Sequence, residues 1–172
     1  MNSNLEPKTQ KLKIRPIQDT DSGWINETMK ESWGSHEVVS RGRIHDICRL
    51  PGYVAIYNGS RSGLITYYIE NKECEIVSLN SFVRGISIGS QLIEAVQSSA
   101  RAEDCIRVWL ITTNDNTNAL RFYQKRGFTI AAIYVNSIQE SRKLKPTIPL
   151  YGFDEIPIKD EIELEIVFPK VV

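Results

Sequence analysis

The sequence predicts a mixed α/β (α+β) fold, a mostly antiparallel sheet with helices packed on it. Three observations carry this. Strand-type runs at residues 53–57, 63–70 and 73–79 follow one another with tight turns between them, which is a meander. Helix-type segments at 88–101 and 118–126 then alternate with apolar runs at 106–111 and 128–135. The chain closes on Glu161-Ile162-Glu163-Leu164-Glu165-Ile166, a strict alternation that predicts a last strand with one wet face.

The elements are justified in order. Residues 1–10 are polar and are expected to be a flexible leader, with residues 11–172 forming a single domain. Lys11 to Ile17 alternates as a strand does, and Pro16 places it at a sheet edge or strand end. Asp19, Asp21 and Ser22 offer N-cap chemistry for a helix that runs to Trp33 and stops at Gly34. Between 36 and 50 the pattern is weak: Val38-Val39-Ser40 is a short extended piece, 40–43 a polar turn, and 44–48 a short helix or a loop. Asn58-Gly59 and Asn71-Lys72 are hairpin turns. Residues 137–144 read as a short basic helix, and residues 137–172 as a C-terminal arm and last strand.

Composition narrows the function. In 172 residues, 21 Lys+Arg balance 21 Asp+Glu, so the basic excess of a nucleic-acid binder is missing. No apolar run reaches the roughly 20 residues that span a bilayer. Cys48, Cys74 and Cys105 are odd in number and widely spaced, which favours reduced thiols over a disulfide frame or a metal cluster. A cytoplasmic protein is expected, with no nucleic-acid or membrane partner.

The chemistry centres on Val83-Arg84-Gly85-Ile86-Ser87-Ile88-Gly89-Ser90, set between a strand and a helix. Such a loop leaves backbone N–H groups aimed at one point, at the positive end of a helix, where a phosphate fits. Arg84 adds a guanidinium fork suited to phosphate oxygens. Arg84-Gly85-Ile86-Ser87-Ile88-Gly89 resembles the pyrophosphate loop Q/R-x-x-G-x-G/A of the GNAT N-acetyltransferases. Asn116-Thr117-Asn118-Ala119-Leu120-Arg121-Phe122-Tyr123, continuing to Gly127-Phe128, resembles that family's N-x-x-A-x-x-x-Y…G-F segment. The resemblance covers roughly residues 12–135 and departs at Ser87, where the family usually has a glycine.

The resemblance implies a six- to seven-stranded sheet splayed in the middle, with helices on both faces. It also implies an acetyl-CoA-dependent N-acetyltransferase that needs no metal. Residues 84–90 would hold the pyrophosphate through backbone N–H groups: Arg84, Gly85, Ile86, Ser87, Ile88, Gly89 and Ser90. The strand near Leu79 would pair with the pantetheine arm and polarise the acetyl carbonyl, and Asn116 would hold the arm by its side chain. Tyr123 would stand near the thioester sulfur as general acid, and Glu75 matches a general base of some members. Trp33, Arg41, Arg43 and Asp46 are acceptor-side candidates. His36 and His45 lie in the same region and are read as surface or capping residues ahead of catalytic ones.

The acceptor is left as a small-molecule or peptide amine. The 148–159 arm either caps the acceptor cleft or serves an oligomer contact, so a homodimer is among the assemblies considered. One competing reading is a non-catalytic CoA-binding module, in which Ser87 and Glu75 have cost the activity. Another is a dinucleotide-binding enzyme. That reading lacks its context, because such a loop follows the first strand of a βαβ unit.

Overall fold

The computed structural model describes residues 11–169. Its main sheet has seven strands in the order β1-β4-β5-β6-β7-β9-β8. These are β1 (Leu12–Pro16), β4 (Gly52–Tyr57), β5 (Ser60–Glu70), β6 (Glu73–Ser81), β7 (Arg107–Thr113), β8 (Thr129–Tyr134) and β9 (Glu161–Val167). A separate hairpin pairs β2 (Glu37–Ser40) with β3 (Arg43–Asp46). The helices are α1 (Ser22–Trp33), α2 (Ile88–Ala102), α3 (Thr117–Gln124) and α4 (Ile138–Leu144).

The meander forms as its turns dictate. Asn58 and Gly59, and then Asn71 and Lys72, all take positive φ, the backbone twist that a two-residue hairpin needs. β1 lies at the sheet edge and ends on Pro16, where a missing N–H costs no ladder bond. Strand parity then splits the core. Ala55, Ile65, Cys74, Ile76, Leu110 and Leu164 pack on one face against α2 and α3. Val54, Leu64 and Val77 pack on the other, against Ile25 and Met29 of α1.

Every neighbouring pair in the main sheet is antiparallel except β6 with β7. That parallel pair is short, joining Glu73, Cys74 and Glu75 to Arg107, Val108 and Trp109 and going no further. Beyond Glu75, β6 pairs with β5 alone and the sheet opens, as the resemblance implies. A register shift sits at the same place: Thr66 faces Ser78 while Tyr67 faces Ile76, so Val77 is an extra residue. A bulge bends its strand and raises the local twist, which turns β6 away from β7. It also reverses parity. Ser78 faces Thr66 at 2.7 Å between hydroxyls on the α1 side, instead of sharing the side of Cys74 and Ile76 that simple alternation assigns to it.

Two expectations need correction. Residues 38–40 are extended and a turn follows them, as expected, but residues 43–46, expected in part as a short helix or loop, are the second strand of a hairpin, and only residues 47–49 make a 3-10 turn, capped by the Asp46 carboxylate. The alternating glutamates of β9 do not face water. β9 lies between β7 and β8, and Glu161 and Glu163 are each 3% exposed. Alternation separates two faces of a strand, but it does not say what covers each one. The expected flexible leader, residues 1–10, lies outside the described residues, as do residues 170–172.

Candidate active site

The loop between β6 and α2 is shaped by two left-handed residues, Gly85 (φ 83°) and Ser87 (φ 57°). Glycine adopts this conformation freely, whereas serine is strained there. Ser87 therefore holds the backbone geometry of the glycine that it replaces. The N–H groups of residues 84–90 donate to no protein acceptor among the described residues, and the first helical bond here runs from the Gln91 N–H to the Ser87 carbonyl. Gly89 packs closely on α3: a Cβ there would come within 2.8 Å of the Phe122 ring. These unpaired donors at a helix start form a cradle for an anion.

A groove beside the cradle is lined by Arg84, Arg121, Lys125 and Arg126. Arg126 is fixed there. Its Nε donates to Ser90 Oγ (2.9 Å), one terminal nitrogen donates to the Phe122 carbonyl (2.7 Å), and the guanidinium stacks 3.5 Å from the Phe122 ring centre. Sequence reasoning missed Arg121, Lys125 and Arg126. The signal was present, since positions 121 and 125 share a helix face.

On the α1 side of the sheet, the opening between β6 and β7 widens into a cleft of about 570 Å³. Glu75 stands at its apex, on the last residue pair before the strands part. Thr112, Thr113, Asp115 and Asn116 form one wall at the end of β7, and Trp33 and the β2 strand form another. The 145–158 arm closes over it through Lys145, Ile148, Phe153 and Ile158, so the arm caps the cleft. A bridge between Tyr151 and Pro157 shapes the arm, and the Phe153 N–H donates to Asp115 Oδ2 at 3.0 Å.

Glu75 is 5% exposed, and its Oε1 has no hydrogen-bond partner in the protein. Its Oε2 is 3.3 Å from Nε2 of His45, a buried side chain on β3. Asn116 Oδ1 accepts the Ala119 N–H (3.0 Å) and so caps α3, while Asn116 also lines the cleft. Tyr123 is buried on α3 between Phe122 and Phe128, with ring centres 5.2 and 5.4 Å away. Burial raises its pKa well above the usual phenol range, which keeps the hydroxyl protonated.

The remaining acceptor-side candidates separate. Trp33 lines the cleft, and its Nε1 donates to Asn80 Oδ1 at 3.4 Å. Arg41 instead lies over Trp109 and Tyr134 and contacts Glu163 at 3.4 Å. Arg43 pairs with Glu70 at 2.9 Å. Asp46 caps the Cys48 N–H and pairs with Arg49. Adjacent strand residues point to opposite sides, so His45 turns inward to Glu75 while Asp46 serves its own turn. Behind the cleft Arg107 bridges Glu73, Glu163 and Glu165 at 2.7–2.8 Å. Burial opposes its charge, and the three carboxylates outweigh that and raise its pKa.

The family model described as "Acetyltransferase (GNAT) family" matches residues 22–128. The chain belongs to the GNAT acetyltransferase family. A Bacillus subtilis (strain 168) relative, "Uncharacterized protein YdhI", is 38% identical over 160 residues, covering 92% of this chain and 98% of the relative. Among solved structures, the "IAA acetyltransferase from Bacillus cereus ATCC 14579" superposes with TM-score 0.71 at 21% identity, covering 92% of this chain and all of that one. A GNAT family acetyltransferase from Elizabethkingia anophelis with acetyl-CoA bound gives TM-score 0.67 at 21% identity, with 91% and 98% covered. These two structural likenesses bear on the fold. The matched span includes the loop at 84–89 and the 116–128 segment.

Proposed function

We propose that this GNAT acetyltransferase moves an acetyl group from acetyl-CoA to an amine by direct attack, with both substrates bound together. The observation that carries the proposal is the conjunction of two features: a run of unpaired amides at residues 84–90, and a sheet that parts immediately beyond Glu75. The cradle suits the diphosphate, and the basic groove suits the remaining phosphate charge of the coenzyme. The free edge of β6 toward Leu79 suits an extended pantetheine arm, which can pair with it as an added strand would. The Asn116 carboxamide NH2 and the unpartnered Asp115 Oδ1 are positioned at the cleft wall to bond amides of the same arm.

An amine must be neutral to attack. A lysine-like amine of pKa about 10.4 is about 3.4 units from neutral at pH 7, or about 4.6 kcal/mol. Glu75 takes the proton, directly or through a water. The nitrogen then bonds to the acetyl carbon, a strand N–H near Leu79 meets the developing oxyanion, and the carbon–sulfur bond breaks. Tyr123 donates to the leaving sulfur. The nitrogen loses two protons and the sulfur gains one, so each turnover releases one proton to water and Tyr123 is restored. Holding both reactants in one cleft provides much of the rate.

Purified protein mixed with acetyl-CoA and a panel of amines tests this. Amine-dependent release of free thiol is the expected result. Thermal stabilisation by acetyl-CoA with no thiol release from any amine would instead favour the non-catalytic CoA-binding module.

A further inference from the structure

The cleft holds a carboxylate that the transfer chemistry above does not use. Glu161, near the start of β9, lines the same cleft as Glu75 and is 3% exposed. Its Oε1 accepts from Ser141 Oγ of α4 at 3.1 Å. Burial raises the Glu161 pKa; the Ser141 and Ser137 hydroxyls and the Arg41 charge pull it down, and the Glu75 charge adds to the rise. Glu75 and Glu161 are thus two buried carboxylates lining one cleft. The His45 imidazole faces Glu75, the Arg41 guanidinium faces Glu161, and the Asp115 carboxylate lines the same cleft. Glu75 Oε1 remains buried without a partner.

The rest of the cleft makes the pair selective. Its walls are largely apolar: Val38, Ile111, Ile138, Ile148, Phe153 and Ile158. Lys145 is the one basic side chain in the lining, and its ammonium is committed to the Glu37 carbonyl at 2.6 Å. Three carboxylates line this largely apolar cleft; Asp115 accepts the Phe153 N–H of the arm, and a cation beside Glu75 and Glu161 relieves the repulsion between those two. An anion has no free basic side chain there to meet it.

We propose that the acceptor is a small cationic amine with an apolar body and no carboxylate beside the amine, and that its ammonium is held between Glu75 and Glu161. This rests on the acetyltransferase reading of the cleft. Glu161 is then a substrate-binding residue that sets specificity, while Glu75 performs the proton transfer. Free α-amino acids are excluded by their own carboxylate.

A matched pair of probes tests the proposal: phenethylamine, and phenylalanine, which adds only a carboxylate. The expected kcat/KM for phenethylamine exceeds that for phenylalanine at least 100-fold. Glu161→Gln is expected to raise the amine KM at least tenfold, leave the acetyl-CoA KM unchanged, and narrow the preference between the probes. Ser141→Ala moves the same readouts in the same direction by a smaller factor and guards against a misfolded first variant. Calorimetry of phenethylamine on wild type and Glu161→Gln reads the seat without turnover. Equal use of both probes, an unchanged preference in Glu161→Gln, or no heat from phenethylamine overturns the proposal. Acetylation of phenylalanine or an acidic peptide would overturn it while leaving the acetyltransferase reading intact. Acetyl-CoA binding with no turnover of any amine would end that reading instead, and the phenethylamine titration would still decide the seat.

Discussion

His45 Nε2 lies 3.3 Å from Glu75 Oε2, with both side chains buried and without the alignment of a full hydrogen bond. The contact joins the β2–β3 hairpin to the apex of the open sheet. It restrains the carboxylate proposed as the general base. His45→Ala is expected to lower kcat about tenfold and leave the acetyl-CoA KM unchanged, because positioning of a general base is lost and coenzyme contacts are not. Steady-state kinetics with each substrate varied separately checks this.

Glu75→Gln keeps the shape and removes the proposed base. A drop in kcat of roughly 10²–10³ at pH 7 is expected, within the usual range for general-base loss. The deficit should shrink as pH rises toward about 10, because the amine then deprotonates in water without help. A pH–rate profile of both proteins decides it; a deficit constant across pH contradicts the assignment. Tyr123→Phe is the matching test of the acid. A loss of roughly 10² in kcat is expected with the fold intact, since the phenylalanine ring keeps the packing between Phe122 and Phe128.

Ser87 carries a left-handed strain that glycine would relieve. Ser87→Gly should raise stability by about 1 kcal/mol or bind acetyl-CoA a few-fold more tightly, depending on whether the loop is strained before or after binding. Ser87→Val should do the reverse. Thermal melts and calorimetric titrations separate the two. Gly89→Ala drives a methyl against Phe122 and should weaken coenzyme binding, and a smaller side chain at 122 should restore it.

Asp21 is fully buried and accepts from Arg15 at 2.6 and 2.9 Å and from Arg61 at 2.8 Å, tying β1, the start of α1 and β5 together. The Arg15 bonds lower its pKa most, burial opposes them, and the Gln18 N–H and Arg61 add to the lowering, which takes it well below the usual carboxylate range. A depressed folded pKa gives stability that is complete above the unfolded value of about 3.9 and is lost as pH falls through the folded value. Asp21→Asn should cost about 3 kcal/mol at pH 7 and flatten the acid limb of the stability curve. Urea melts at pH 7 and pH 3 measure both effects.

The sequence showed most clearly what local chemistry dictates. Asn58-Gly59 and Asn71-Lys72 announced their turns, and residues 84–89 with 116–128 announced the cradle and its partner helix. The hairpin at 37–46 was obscured because its strands are short and carry polar side chains, Arg43, His45 and Asp46, whose partners lie outside the hairpin. The burial of Glu161 and Glu163 was hidden for a related reason. A glutamate on alternate positions signals water unless the covering partners are known, and here they come from Ser141, Tyr134, Arg41 and Arg107, far away in the chain. The inward turn of His45 required a register that only the folded hairpin provides.

The central claim is that the main-chain amides of residues 84–90 bind the diphosphate of acetyl-CoA at the mouth of the open sheet. Amide nitrogen–proton NMR during an acetyl-CoA titration tests it most directly. The account predicts saturable shifts that are largest at residues 84–90, with further changes along 76–79 and at Asn116. Shifts confined to other residues, or no shift at millimolar coenzyme, would contradict it.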